Sequence, residues 1–300
     1  MRIFLTGGTG FIGSRLVRYL IKRGDECVVV TRAGQNRWNS ELVDVVRADP
    51  AIAGDWQENI SGVDAVINLA GERIVDPPRR WTRDRKKQLR NSRIDTTKNV
   101  VDGILNASAA PTVFLSSSAI GYYGPRGDDE VDETTGPGDD FLAVLASEWE
   151  EAAQPAKPKV PVTLLRTGIV LGTKGGALAS LLPPFKAGLG GPWGSGRQWW
   201  SWIHIADQIG LTIFLMDKKL NGPFNLTAPN PVTVNEFSSA LGKTLRRPDV
   251  FRVPEFALKA GLGEAAAALL DLQRVVPRRA LEAGYEFKFP QVRAALKDLL

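Results

Sequence analysis

A glycine-rich turn near the start of the chain limits the folds open to it more than any other feature. The apolar run Arg2–Thr6 leads into Gly7, Gly10 and Gly13, which have GxxGxxG spacing, and apolar residues then recur at helical intervals through 11–22. Glycine allows a tight turn and close approach of the backbone, and the following helix presents free N–H groups to an anion. The segment therefore predicts a strand–turn–helix unit that binds the pyrophosphate of a dinucleotide. The alternative is a turn that serves packing alone.

Short apolar runs alternate with helical segments through the first half of the chain. An apolar run without polar alternation is typical of a parallel strand that is covered on both faces. The pattern predicts an α/β fold with a doubly wound parallel sheet of the Rossmann type. The predicted strands are 2–6, 27–30, 65–69, 112–115 and 162–165, and the predicted helices are 11–22 and 82–106.

The second half of the chain lacks this regularity. Residues 172–196 are rich in glycine and proline and have no clear period. Further helices are predicted over 206–217 and over 254–270, the second interrupted by Gly261 and Gly263, and another is opened by the capping box 233–236. A strand is predicted over 223–226, and the tail 290–300 is short and amphipathic. We expect an NADP-binding domain over 1–171, to which 205–228 return, and a smaller mixed C-terminal substrate lobe made of 172–204 and 229–300.

Composition excludes several classes of protein. Of 300 residues, 43% are hydrophobic and 24% charged, and the excess of 38 basic over 33 acidic residues is too small to indicate nucleic acid. The basic run 83–87 predicts a solvated helix face. One cysteine, Cys27, excludes an intrachain disulfide, and one cysteine with one histidine cannot make a usual metal site. With no membrane-length apolar stretch and no signal-peptide layout, we expect a cytoplasmic protein without membrane, metal or nucleic-acid partners.

The end of the second predicted strand selects the cofactor. A site for NAD usually has an acidic residue about 20 residues beyond the glycines, where it binds the ribose hydroxyls. This chain has Thr31 and Arg32 there, and Arg32 follows Gly7 by 32 − 7 = 25 residues. A guanidinium can bind a 2′-phosphate through several donors, so we predict NADP rather than NAD. The alternative is that Arg32 is a loop cation in solvent.

Further motifs run along almost the whole chain. They are NLAGE at 68–72, RRW at 79–81, SR at 92–93, SSSAIGYYG at 116–124, DFLA at 140–143, WE at 149–150, GIVLG at 168–172, GLGGPWGSG at 188–196, WIHIAD at 202–207 and VP at 253–254. Together they resemble the extended short-chain dehydrogenase/reductase superfamily, of the NAD-dependent epimerase/dehydratase type. They are most similar to an atypical "epimerase family" subgroup of NADP-dependent oxidoreductases, some members of which carry the label of cell-division inhibitor.

The resemblance implies a set of cofactor-binding residues. In that superfamily the cofactor is held by the first glycine turn, the end of the second strand, the fourth strand and the loop after the sixth. The matching positions here are Gly7, Thr9, Gly10, Phe11, Ile12, Gly13, Thr31, Arg32, Leu69, Ala70, Gly71, Gly168, Ile169 and Val170. Arg93, on the long predicted helix, is expected either to reach the cofactor as well or to form a surface ion pair.

The same resemblance draws attention to two missing residues. Superfamily members that carry out redox chemistry use a serine together with a YxxxK motif, whose spacing places the tyrosine and lysine on one helix face. The tyrosine acts as acid/base, and the lysine lowers its pKa and binds the nicotinamide ribose. Residues 137–150, PGDDFLAVLASEWE, contain neither residue type, and the matching positions hold Phe141 and Leu145. Only Ser118 has a counterpart, so the usual mechanism cannot be carried over.

Other groups could supply the chemistry. Glu72 follows the predicted strand 65–69 and could overhang the nicotinamide, or it could pair with Arg73 or Arg93. His204, the only histidine, could belong to the site, or it could hold its strand while Asp207 caps the next helix. The candidates for catalysis are Ser118, Tyr122, Tyr123 and Glu72, and the alternative for one of the tyrosines is a packing role.

Three functional hypotheses follow. The leading one is an NADPH-dependent oxidoreductase or epimerase-like enzyme, monomeric or homodimeric, that acts on an unknown small molecule. The alternative is a non-catalytic NADPH-binding regulator or scaffold. A third, an interaction protein with a relic fold, is disfavoured by the intact glycine turn and Arg32. The tryptophans of the second half predict either an aromatic-lined pocket or core packing; they are Trp193, Trp199, Trp200 and Trp202.

Overall fold

The computed structural model describes residues 1–77 and 79–300. In this part of the chain the strands are β1 (Arg2–Thr6), β2 (Glu26–Thr31), β3 (Val43–Arg47), β4 (Ala65–Asn68), β5 (Val113–Ala119), β6 (Glu130–Val131), β7 (Val162–Thr167), β8 (Ile169–Leu171), β9 (Trp199–Trp200), β10 (Trp202–His204), β11 (Gly222–Leu226), β12 (Val232–Thr233) and β13 (Arg274–Val275). The helices are α1 (Phe11–Lys22), α2 (Arg83–Asn106), α3 (Phe141–Ala153), α4 (Gly176–Lys186), α5 (Ile205–Asp217), α6 (Val234–Leu245), α7 (Glu255–Leu262), α8 (Ala267–Leu270), α9 (Arg278–Glu282) and α10 (Val292–Leu299). Short 3-10 helices cover Asp55–Ile60, Ile120–Tyr123, Gln154–Ala156 and Gly263–Ala266. Within these described ranges, no helix combines the length and the apolar character needed to span a bilayer.

Seven of these strands form one sheet in the described chain. Its order is β11-β7-β5-β4-β1-β2-β3, so strands are added outward from β1 in both directions. Every neighbouring pair in it is parallel. The carboxyl ends of β1, β2 and β4 therefore meet at one edge, at the point where the strand order reverses, which is where such folds bind ligands. The predicted doubly wound parallel sheet is confirmed.

Helices cover both faces of this sheet. On one face, Leu16 of α1 and Ile209 of α5 belong to one buried apolar cluster with the strands. On the other face, Val100 of α2 and Ala153 of α3 belong to a second cluster. Burial on both faces explains why the strands are continuous apolar runs in the sequence. Cys27 lies in the first cluster, and burial raises the pKa of its thiol to about 12, as expected of a small core residue.

A second apolar core lies outside the main sheet. Trp193, Trp200 and Trp202 are at most 5% exposed and share a cluster with side chains of α4 and α6. Trp199 is half-buried, and its indole N–H donates to Asp128 Oδ1 over 2.9 Å. The packing interpretation is therefore confirmed for Trp193, Trp200 and Trp202. The predicted domain limits stay a prediction.

Several short elements were not predicted, among them β6, β8, β9, β12, β13 and α9. Two other differences have a visible cause. Strand β3 was not predicted, because Asp44 interrupts its short apolar run at the edge of the sheet. Helix α4 lies in the segment that was predicted to be irregular. It was missed because Pro183 and Pro184 within it lack N–H donors and obscure the helical period of the sequence. The predicted interruption of the helix over 254–270 occurs at Gly263, whose φ of +61° lies in the left-handed region that favours glycine, whereas Gly261 lies within α7.

Candidate functional site

The glycine turn has the geometry of an anion-binding turn. Gly7 has a φ of +68°, and a Cβ there would lie 2.5 Å from the carbonyl carbon of Leu69. The Gly10 N–H donates to the Gly7 carbonyl oxygen over 3.0 Å, and a Cβ at Gly13 would overlap that same oxygen. No side chain of the described residues caps α1, so its first N–H groups remain available to a phosphate. The turn thus excludes side chains at Gly7 and Gly13 and leaves donors at its tip.

A cleft of about 910 Å³ opens at the carboxyl ends of β1, β2 and β4. The predicted residues that line it are Gly7, Thr9, Gly10, Thr31, Arg32, Leu69, Ala70 and Gly71, together with the candidate acid/base Glu72. In the described structure the other predicted site residues lie outside its lining; these are Phe11, Ile12, Gly13, Arg93, Gly168, Ile169, Val170, Ser118, Tyr122 and Tyr123. The fold therefore brings together the residues predicted from the glycine turn and from the ends of β2 and β4.

Two further walls of the cleft were missed by sequence reasoning. One is the segment 49–51, which follows the unpredicted strand β3. The other is a stripe of α2, where Arg85, Gln88 and Ser92 recur at intervals of three and four residues. That spacing could have been found in the sequence, but the prediction of a solvated face was wrong for Arg85, which is 6% exposed. The remaining lining residues of these walls are Arg79, Asp84, Lys87, Asn91 and Thr96.

Glu72 lies between two arginines in this cleft. Its Oε1 is 3.6 Å from Arg32 Nη2, and its Oε2 is 3.4 Å from Arg85 Nη1. The proposed pairing of Glu72 with Arg73 or Arg93 is therefore wrong, because the second cation comes from the missed stripe of α2. The Arg32 side chain is 71% exposed at the mouth of the cleft, where its charge favours an anionic ligand.

Arg93 is buried beneath the turn that follows β4. Its Nη2 donates to the Glu72 carbonyl oxygen over 2.8 Å, and its Nη1 donates to the Leu89 carbonyl oxygen over 2.9 Å. Its guanidinium carbon lies 5.0 Å from the centre of the Trp149 ring. Burial lowers the pKa of Arg93 to about 10. At 7% exposure it is not a surface ion pair; contact with a cofactor stays a prediction.

A buried hydrogen-bond network occupies the carboxyl end of β5. Ser118 Oγ donates to Glu150 Oε1 over 2.7 Å, and Glu150 also accepts from Arg166 Nε at 2.7 Å and Nη2 at 2.9 Å. Arg166 Nη1 donates to the Tyr123 hydroxyl at 3.1 Å, and that hydroxyl donates to Asn225 at 2.6 Å. Burial opposes the charge of Arg166, but the hydrogen bonds and charge of Glu150 outweigh it and raise the pKa of Arg166. Burial raises the pKa of Tyr123 to about 12. Because the hydroxyls of Ser118 and Tyr123 are both engaged in this network, neither is free to act on a ligand as placed.

The positions matching tyrosine and lysine of YxxxK are packed among apolar side chains. Leu145 is 4% exposed in a cluster with Trp81, and the Phe141 ring packs edge-on at 5.0 Å from the Trp81 ring. Glu150, the partner of Ser118, follows Phe141 by 150 − 141 = 9 residues, which is about 13 Å along α3. The hydrogen bond of Ser118 is therefore made to a later turn of α3 than the one that carries Phe141.

Tyr122 differs from its neighbours at the end of β5. Its ring centre lies 3.5 Å from the guanidinium carbon of Arg166, and it meets the Tyr123 ring edge-on at 5.4 Å. It is half-buried, and no partner in residues 1–77 and 79–300 engages its hydroxyl in a hydrogen bond. It is therefore the one candidate hydroxyl here that stays available.

The segment after β7 lies against the start of α1. The Gly168 N–H donates to the Leu226 carbonyl oxygen over 3.1 Å, and the Ile169 N–H donates to the Ser201 carbonyl oxygen over 2.9 Å. The ring of Phe11, the first residue of α1, packs directly against the backbone of three glycines that follow β8, which are Gly172, Gly175 and Gly176. A side chain at any of these glycines would place its Cβ within 3.0 Å of the ring. This packing places the segment 172–176 against the first residue of α1, and cofactor contact by 168–170 stays a prediction.

His204 has a structural role that corrects the predicted cap. Its Nδ1 accepts from the Ala206 N–H over 3.0 Å, so His204 itself is the N-cap of α5. Asp207 instead accepts from the N–H groups of Lys288 and Phe289, at 2.8 and 2.9 Å, and so holds the C-terminal segment. Burial lowers the pKa of His204 despite the nearby carboxylates.

The position of the glycine turn and of the cleft agrees with the family whose model matches the chain. A model of the NAD dependent epimerase/dehydratase family matches residues 3–227, which include the glycine turn, the turn after β4 and the whole of β5. The chain belongs to this family. A second model, a domain of unknown function (DUF1731), matches residues 253–299.

Relatives within the family cover the whole chain. It is 43% identical over 307 residues to the "Epimerase family protein SDR39U1 homolog, chloroplastic" of Arabidopsis thaliana, across 100% of this chain and 87% of that protein. It is 38% identical over 306 residues to the Homo sapiens "Epimerase family protein SDR39U1", across 100% of both. The resemblance to the epimerase family is confirmed.

Solved structures agree in fold. The crystal structure of human epimerase family protein SDR39U1 (isoform 2) with NADPH superposes with a TM-score of 0.91 at 36% identity, covering 100% of this chain and 99% of that one. The UDP-glucuronic acid 4-epimerase from Bacillus cereus in complex with NAD has a TM-score of 0.78 at 17% identity, covering 100% of this chain and 95% of that one. The second likeness shows the fold alone.

Proposed function

We propose that the cleft binds NADPH and that the protein uses it as an oxidoreductase on a small molecule. The observation that carries the proposal is Arg32, an exposed cation at the end of β2 in the same cleft as the glycine turn. The turn suits a pyrophosphate, and the guanidinium suits a 2′-phosphate. The human relative crystallised with NADPH supports the same cofactor.

Bound NADPH would supply a hydride, so the protein must place the substrate and supply a proton. Tyr122 is the candidate whose hydroxyl is unengaged in the described residues, and Arg166 lies against its ring. Ser118 and Tyr123 are already hydrogen-bonded in the buried network. We therefore assign the proton-donor role to Tyr122, and its test is a Tyr122→Phe variant that binds NADPH normally but no longer consumes it with substrate.

The cofactor assignment is tested by titrating the protein with NADPH and NADH while following tryptophan fluorescence. Arg32→Asp should weaken NADPH binding by at least about tenfold, since a hydrogen bond to a charged group contributes ~1.5–3 kcal/mol. The matched control is Arg37→Asp, an exposed arginine outside the cleft lining, which should leave both affinities unchanged. The assignment is wrong if Arg32→Asp leaves NADPH binding unchanged and does not improve NADH binding.

A second candidate function is an NADPH-binding regulator that does not turn the cofactor over. It is favoured by Phe141 and Leu145, which fill the usual tyrosine and lysine positions with apolar packing. A library of small carbonyl compounds distinguishes the two functions. An enzyme leaves oxidised cofactor behind with at least one compound, whereas a regulator binds NADPH and consumes none. We further propose a cytoplasmic location and a monomer or homodimer.

A further inference from the structure

Glu72 has a fixed backbone and two unequal partners. The backbone N–H of Glu72 donates to Ser92 Oγ over 3.1 Å, and its carbonyl oxygen accepts from buried Arg93 at 2.8 Å. These two hydrogen bonds fix the position of the backbone. Of its two ion-pair partners, Arg85 has a side chain that is 7% exposed and Arg32 one that is 71% exposed. The backbone of Glu72 is thus held in place, and one of the two partners of its carboxylate is far more exposed to solvent than the other.

Arg85 is the anchored partner. Besides Glu72 it donates to the Arg73 carbonyl oxygen over 2.8 Å and to Gln88 Oε1 over 3.3 Å. Arg32 has a single contact of this kind among the described residues, the 3.6 Å pair with Glu72. When another anion enters the cleft, Arg32 can exchange partners, whereas Glu72 keeps Arg85.

We propose that Glu72 competes with the 2′-phosphate of the cofactor for Arg32 and thereby sets the affinity for 2′-phosphorylated nucleotides. The inference rests on the proposed function, because it takes Arg32 as the group that binds this phosphate. A nucleotide without a 2′-phosphate does not require Arg32 to leave Glu72. Glu72 therefore weakens NADPH binding and has little effect on NADH binding.

The test compares dissociation constants for NADPH and NADH in Glu72→Gln and wild-type protein. The amide keeps an acceptor for Arg85 but removes the charge that holds Arg32. NADPH should bind about 1.5- to 5-fold more tightly, which corresponds to the ~0.2–1 kcal/mol of an exposed ion pair, with NADH changed less. The matched control is Asp84→Asn, a neutralised carboxylate of the same cleft without an Arg32 contact, which should produce a smaller gain.

A double-mutant cycle isolates the exchange. In an Arg32→Ala background, Glu72→Gln should no longer tighten NADPH binding. Unchanged or weaker NADPH binding by Glu72→Gln overturns the inference, as does a gain that persists without Arg32. If Glu72→Gln fails to fold, Glu72→Asp repeats the comparison, since its shorter side chain keeps the charge but withdraws from Arg32. If the wild-type protein does not bind NADPH more tightly than NADH, the proposed function is refuted. If it does, but Glu72→Gln leaves the NADPH affinity unchanged, only this inference is refuted.

Discussion

Replacing Glu150 with alanine should strongly destabilise the protein through the buried network at the end of β5. The side chains of Glu150 and Arg166 are 8% and 4% exposed, and the carboxylate accepts two hydrogen bonds from the guanidinium and one from Ser118. Removing one partner of a buried ion pair leaves an uncompensated buried charge, which costs about 3–5 kcal/mol. We therefore expect the free energy of unfolding to fall by that amount in Glu150→Ala.

The comparison variant is Ser118→Ala. It removes one hydrogen bond but leaves Arg166 fully paired, so the expected loss is about 1 kcal/mol. Both variants are measured by urea unfolding, followed by circular dichroism, and both should bind NADPH as the wild type does, because the network lies outside the cleft lining in the described residues. A loss below about 1 kcal/mol for Glu150→Ala, or equal losses for the two variants, would refute the reasoning.

Two further predictions concern the single histidine and the missing lysine. Burial lowers the pKa of His204, so below about pH 6.5 the unfolded state binds the proton more readily than the folded state, and the free energy of unfolding should fall with acid. The fall should be absent in His204→Asn, which keeps a capping oxygen but has no imidazole to protonate. Unfolding curves from pH 8 to pH 5, with the one histidine resonance followed by NMR, check this prediction. Leu145→Lys should destabilise the fold and create no activity, because it places an amine in an apolar cluster. Val144→Lys changes a side chain that is 48% exposed on the same turn and should lower the stability only slightly. Thermal unfolding of the two variants checks this prediction.

Different outcomes would contradict these two predictions. A histidine resonance that titrates at or above the ordinary pKa would show that His204 is not a neutral cap. Equal melting temperatures for the two lysine variants would show that the position of Leu145 is open to solvent or to a ligand. In that case the apolar packing at α3 would not be what excludes the usual redox mechanism.

Much of the cofactor domain could be predicted from local sequence. The strand, glycine turn and helix over 2–22 were predicted with nearly their observed limits, because a strand buried on both faces and a tight turn each leave a short-range pattern. The same holds for α2, whose limits differ by one residue from those predicted. Strand β3 lies at the sheet edge, where Asp44 interrupts a short apolar run, and the wall at 49–51 was missed with it.

The candidate site was predictable only where its residues follow strand ends. Arg32 follows β2 directly and Glu72 lies 72 − 68 = 4 residues beyond the end of β4, and parallel strands carry such residues to one edge of the sheet. Arg85 was missed because a run of basic residues was taken as solvated, and burial of one member depends on which face of α2 meets the turn after β4. Glu150 and Arg166 were missed because one is on a helix and the other on a strand, with no shared motif.

The sequence by itself determined the parallel sheet, the anion-binding turn, the cation at the end of β2 and the absence of YxxxK, since each of these is a property of residue type at a fixed local spacing. Only the tertiary structure decided the partners of those residues. It brought Glu72 between Arg32 and Arg85, committed Ser118 to Glu150, and made His204 the cap of α5. Ion pairs and buried hydrogen bonds join side chains far apart in the chain, and their geometry is set by how helices and strands pack rather than by any spacing along the sequence.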